Sequence, residues 1–116
     1  MRIIIDRDAV CAGDDMNHHR EEFTVPDDIT IAGLFEFLEF KYIPVIAGNN
    51  VVWVLYYHER ELGAYFTKIQ SFINGNMPLS SIISNSERGN EFYLRYYSSP
   101  HRYRKHCISI NPLSKC

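Results

Sequence analysis

The clearest helical periodicity in this chain lies between two pairs of strand-like runs, and that arrangement limits the fold more than any other feature. Ile31, Leu34, Phe35 and Leu38 recur at i, i+3, i+4 and i+7, which places them along one stripe of an amphipathic helix. Asp28 or Thr30 can cap its start, and Pro44 disfavours helix at Ile43, so the spacing predicts a helix over 30–41. Glu36 and Glu39 lie off the stripe, and Phe37 and Phe40 are expected to widen the apolar surface sideways. A lone helix with one wide apolar face must cover a sheet.

The strands come from either side of it. Ile3-Ile4-Ile5 is a consecutive β-branched run, as in a strand buried on both faces. It empties into Asp6-Arg7-Asp8-Ala9-Val10-Cys11-Ala12-Gly13-Asp14-Asp15, whose glycine and adjacent carboxylates mark a turn. Glu21 to Val25 alternates as a returning strand. Val51 to Tyr57 is the strongest strand run, His58 to Glu61 is a polar connection, and Leu62 to Thr67 returns as a hairpin partner. Residues 68–90 are less regular, with a short helical turn expected after Pro78. Glu91 to Tyr97 is the last strand. The order ββ–α–ββ–turn–β predicts an α+β fold, a β-grasp-like mixed sheet with one main helix packed on one face. Its first and last strands are expected to run side by side and parallel. The 116 residues form one domain, 1–116, and residues 98–116 are expected to be an irregular tail.

Charge is unevenly spread. Residues 1–62 carry 12 Asp/Glu and 5 Lys/Arg, a net of −7, while residues 63–116 carry 2 and 7, a net of +5. Such asymmetry can give an acidic face and a basic face, or it can cancel where the two halves share a sheet. The cysteines are Cys11, Cys107 and Cys116, with no CxxC pair. Met1-Arg2 followed by three Ile and Asp6 does not read as a signal peptide, and no apolar run is long enough to span a bilayer. A cytosolic (cytoplasmic) protein with reduced thiols is expected.

Few residues suggest reaction chemistry. Asp14, Asp15, His18 and His19 are of metal-ligating type, but neighbouring side chains rarely converge on one ion, and a solvated acidic turn explains them. Cys11 beside His18 or His19 is the composition of a nucleophile and base, but Asp14 and Asp15 would disfavour the thiolate. A buried Cys acting as a small hydrophobe explains it instead. Trp53, Phe35 and Leu38 read as core. No phosphate-loop, dinucleotide, zincin or nucleophile-elbow motif occurs. Hence no catalytic residue, metal or cofactor is expected, and the chain is not expected to be an enzyme. A different class of activity is suggested by Arg95-Tyr96-Tyr97 and His101-Arg102-Tyr103-Arg104-Lys105-His106, which interleave cations and aromatic rings as nucleic-acid contacts do. An enzyme with a site around Asp14, Asp15 and His18 is the third possibility.

Several segments together form a pattern. An apolar strand leads into Asp-x-Asp-x-Val-Cys-x-Gly-Asp-Asp, here Asp6 to Asp15, followed by His18. A helix begins after Thr30. Then come Tyr42, Pro44, Ile46 and Gly48, a strand with Trp53, and a strand end Arg95 to Tyr97. Over most of residues 1–97 this resembles the small bacterial immunity proteins linked to polymorphic toxins, including those of contact-dependent growth inhibition. Asn49-Asn50 stands where the pattern has a more glycine-rich turn, and the tail after Pro100 has no counterpart. The resemblance implies a cytosolic inhibitor that binds a protein toxin, many of which are basic nucleases, and occludes its active or substrate-binding surface. Acidic side chains suit such a partner. The candidates are Asp14 and Asp15 on the first turn, Asp27 and Asp28 before the helix, and Glu59 and Glu61 on the hairpin connection. No membrane partner is expected.

Overall fold

A computed structural model describes residues 1–9, 19–44, 50–83 and 90–110. The elements are β1 (Arg2–Arg7), β2 (Glu21–Thr24), α1 (Ile31–Lys41), β3 (Val52–Tyr57), β4 (Arg60–Phe66), β5 (Ser71–Ile73), α2 (Ser80–Ile83), β6 (Glu91–Tyr97) and α3 (Pro100–Ile110). The six strands form one mixed sheet in the order β2-β1-β6-β3-β4-β5. β1 and β6 are parallel, with Ile4 opposite Glu91 and Ile5 opposite Phe92. The other pairs are antiparallel. The last strand thus lies between the first hairpin and β3, the β-grasp order, with β4 and β5 extending one side. No helix among the described residues is long and apolar enough to cross a membrane.

Each helix follows from local chemistry. Thr30 caps α1: the Gly33 N–H donates to its Oγ1 at 3.1 Å, and the Leu34 N–H donates to its carbonyl at 2.9 Å. Ile31, Leu34, Phe35 and Leu38 are the buried residues of α1. They meet Ile3, Ile5, Trp53, Leu55, Phe92 and Leu94 from the sheet in the main core. Gly63 lets two layers close over β4. A Cβ there would sit 2.5 Å from the Ile73 carbonyl oxygen and 3.1 Å from Ile31 Cγ2.

Three expectations need correction. Ile4 is only half-buried, because the cover on the second sheet face does not extend over β1. Residues 71–73 form β5, a three-residue edge strand too short to show periodicity. The segment 98–116 is not simply an irregular tail, since residues 100–110 are a helix. Ser99 caps it, accepting from the Arg102 N–H at 3.2 Å on Oγ and from the Tyr103 N–H at 3.2 Å on its carbonyl. Pro100 occupies the first helical position, where its missing N–H costs nothing. The proline starts a helix here rather than breaking one.

α3 lies on the sheet face opposite α1. Tyr103 and Cys107, one turn apart, are buried with Val52, Val54 and Ala64 in a second, smaller core. The Tyr103 ring meets Phe66 at 5.8 Å and Tyr97 at 5.5 Å, edge on in both cases. Cys107 is disulfide-bonded, with its partner outside the described residues. The expectation of reduced thiols fails at this position.

Candidate functional site

The charge asymmetry of the sequence separates only in part: Asp8 and Glu61 of the acidic first half lie on the α3 face, while others of its acids lie on the α1 side. On the α1 side, Asp27, Asp28, Glu36 and Glu39 are all exposed. Asp27 accepts from the N-terminal ammonium at 2.7 Å. That hydrogen bond and charge hold its carboxyl below the usual range. Glu39 reaches Tyr65, whose proton is held more tightly by burial first and by this contact second. Phe40 does not widen the apolar stripe. It is 83% exposed, because two residues beyond Leu38 is the far side of a helix. Lys41 Nζ sits 5.1 Å from its ring centroid. Phe37 is the one that turns inward, 5.4 Å from the Phe23 ring.

α3 is the opposite pole. Arg102, Arg104, Lys105 and His101 are exposed along it, and residues 100–110 contain no Asp or Glu. Between this helix and the end of β6 lies an open depression of about 390 Å³, lined by Tyr96, Tyr97, Ser98, Arg102 and Lys105.

Among the described residues α3 does not extend over the β1 side of its face, and a third feature sits there. Asp8, Tyr56, His58, Glu59, Tyr93 and Arg95 line an open depression of about 470 Å³. The Tyr93 hydroxyl donates to Asp8 Oδ1, and the Tyr96 N–H donates to Asp8 Oδ2 at 2.9 Å. Burial, then the Asp8 carboxylate, hold the Tyr93 proton more tightly than usual. Both Asp8 oxygens are therefore already accepting. His58 has φ 55°, as a two-residue hairpin loop closed by the Tyr57–Arg60 pair requires. Its Nε2 is buried without a hydrogen-bond partner among the described residues. The patch combines Tyr, Arg and His in the way of recognition surfaces.

The sequence candidates scatter. Cys11, Asp14, Asp15 and His18 lie outside the described residues. Asp27 and Asp28 sit at the approach to α1, and Glu59 is exposed in the β3–β4 turn. Glu61 is half-buried and engaged within the fold. Its Oε1 accepts from the Tyr56 hydroxyl at 3.4 Å and lies 3.8 Å from His106 Nε2, so it helps seat α3. His19 offers its backbone carbonyl to the Tyr42 hydroxyl. Among the described residues no three His, Cys, Asp or Glu side chains converge as a metal site would need. Sequence reasoning passed over Glu36, Glu39 and Phe40 as a surface. The signal was their position off the buried stripe.

No protein-family model matches this chain, and no curated protein or solved structure matches it.

Proposed function

We propose that this chain is an immunity protein that binds a toxin domain, a nuclease with a basic substrate-binding surface, and blocks it by occlusion. The carrying observation is the acidic α1 side: Glu36 and Glu39 stand exposed beside Phe40, and Asp28 stands exposed ahead of the helix start, on the side of the sheet opposite α3. Carboxylates spread over a partner-sized face raise association rates with a cationic groove and compete with nucleic acid for it. An exposed aromatic ring among them supplies an apolar anchor. The Asp6–Asp15 pattern adds the family resemblance, and Asp14 and Asp15 extend the acidic set. Inhibition of this kind requires a rigid scaffold, and the large α1 core provides one.

The test is association kinetics against the nuclease domain of a toxin encoded beside this chain. Asp28→Asn/Glu36→Gln/Glu39→Gln is expected to lower the on-rate and flatten its decline with salt. An unchanged rate would move the interface off α1.

A further inference from the structure

We infer that the groove between α3 and the end of β6 is a binding site for single-stranded nucleic acid. The inference stands apart from the toxin proposal, since it concerns the opposite face of the sheet. Three observations carry it. The first is charge: Arg102, Arg104 and Lys105 project from one exposed helix that has no carboxylate of its own. A phosphodiester strand is the polyanion such a row complements. The second is shape. The depression of about 390 Å³ is lined by Arg102 and Lys105 of α3 and by Tyr96, Tyr97 and Ser98 at the end of β6, and of the two tyrosines it is Tyr97 whose ring lies on the α3 face. Cations beside aromatic rings are what a strand needs, phosphates on the former and bases on the latter. The third is rigidity. Tyr97 packs on Tyr103 and His106 at 5.5 and 5.3 Å and is half-buried, so its ring is held in place before any base arrives, and less ordering is required on binding.

A duplex suits the groove less well. It offers its bases only at the edges, so the tyrosines would contribute nothing and only the phosphate contacts would remain. The predicted ligand is therefore unpaired RNA or DNA, read without sequence preference.

Fluorescence anisotropy with labelled oligouridylate and oligothymidylate, on the full chain, tests this. Saturable binding at low salt is expected. Its logarithm should fall against the logarithm of salt with a slope of about −1.4, as phosphate contacts from Arg102 and Lys105 imply for a single strand. Arg102→Glu/Lys105→Glu exchanges only exposed side chains. It should leave the circular dichroism spectrum unchanged and abolish binding. Tyr97→Phe keeps the ring and should keep binding, while Tyr97→Leu should weaken it about tenfold. A preference between the two oligonucleotides would report contact with the ribose hydroxyl, and either result supports the site. No binding at low salt overturns it. So does binding that survives the charge reversal, equal binding by Tyr97→Leu, or capture by phosphatidylserine vesicles in place of the oligonucleotides.

Discussion

The two helices cover the same sheet from opposite sides and are held by different chemistry. Beneath α1 the buried cluster is broad and mostly aliphatic, running from Ile3 and Ile5 through Leu34, Leu38 and Leu55 to Leu94. Beneath α3, among the described residues, it is Val52, Val54, Ala64, Tyr103 and Cys107, rimmed by tyrosines and the Glu61–His106 contact. Burial of apolar area is the main favourable term in folding. The larger share of global stability is thus expected on the α1 side, and the smaller share on the α3 side. The contrast teaches that the acidic surface rides on the larger core and the basic surface on the smaller one.

The largest expected effect separates the two directly. Leu34→Ala should destabilise the whole domain by about 2–5 kcal/mol, seen as a single shifted denaturation curve. Tyr103→Ala should cost less globally. Its signature is loss of hydrogen-exchange protection in residues 100–110 while β1, β3 and β6 stay protected. If both variants unfold the chain alike, the two halves are one cooperative unit and the contrast is wrong.

Alkali should sharpen it. Burial raises the hydroxyl pKa of Tyr56 and Tyr103, and it takes Tyr97 from 10.0 to about 12. Below pH 10 folded and unfolded chains both keep these protons. As pH rises from there towards 12, the unfolded chain releases them and the folded chain does not, so stability present below 10 is lost across that window. All three tyrosines lie on the α3 side. Phenolate absorbance should therefore rise together with exchange of α3 amides, ahead of any change in the sheet.

The smallest effect concerns the caps. Thr30→Ala should lower global stability by about 1 kcal/mol, whereas Ser99→Ala should loosen α3 and leave the denaturation midpoint nearly in place. A midpoint shift as large for Ser99→Ala would show that α3 docking is coupled to the core.

The elements that sequence pattern revealed are those with period and length. The Ile31/Leu34/Phe35/Leu38 stripe, the Val51–Tyr57 run and the order of strands suffice for a β-grasp sheet. β5 did not show because three residues make no period. α3 did not show because only Tyr103 and Cys107 face inward, and a helix with so narrow an apolar stripe reads as a polar tail. Pro100 reads as a helix breaker in sequence, and it is the Ser99 cap before it that makes it the first helical residue. The partner surface was harder still. Asp27 and Glu61 look alike in sequence. One is a solvated acid at the N-terminus and the other is engaged beneath α3, a difference that only the packing of distant segments decides.

The parallel pairing of β1 with β6 has a consequence for synthesis. The sheet's centre is closed by the strand that leaves the ribosome last among the six, and it inserts between elements already made. Until Glu91–Tyr97 arrives, the first hairpin has no hydrogen-bonded link to β3, and the apolar side of α1 has only part of its floor. The nascent chain must carry that exposed surface for most of its translation. Its folding is of the non-local kind, in which loop-closure entropy is met before the contacts that reward it. A chaperone's window on this protein is therefore long, and it closes in one step with the arrival of β6.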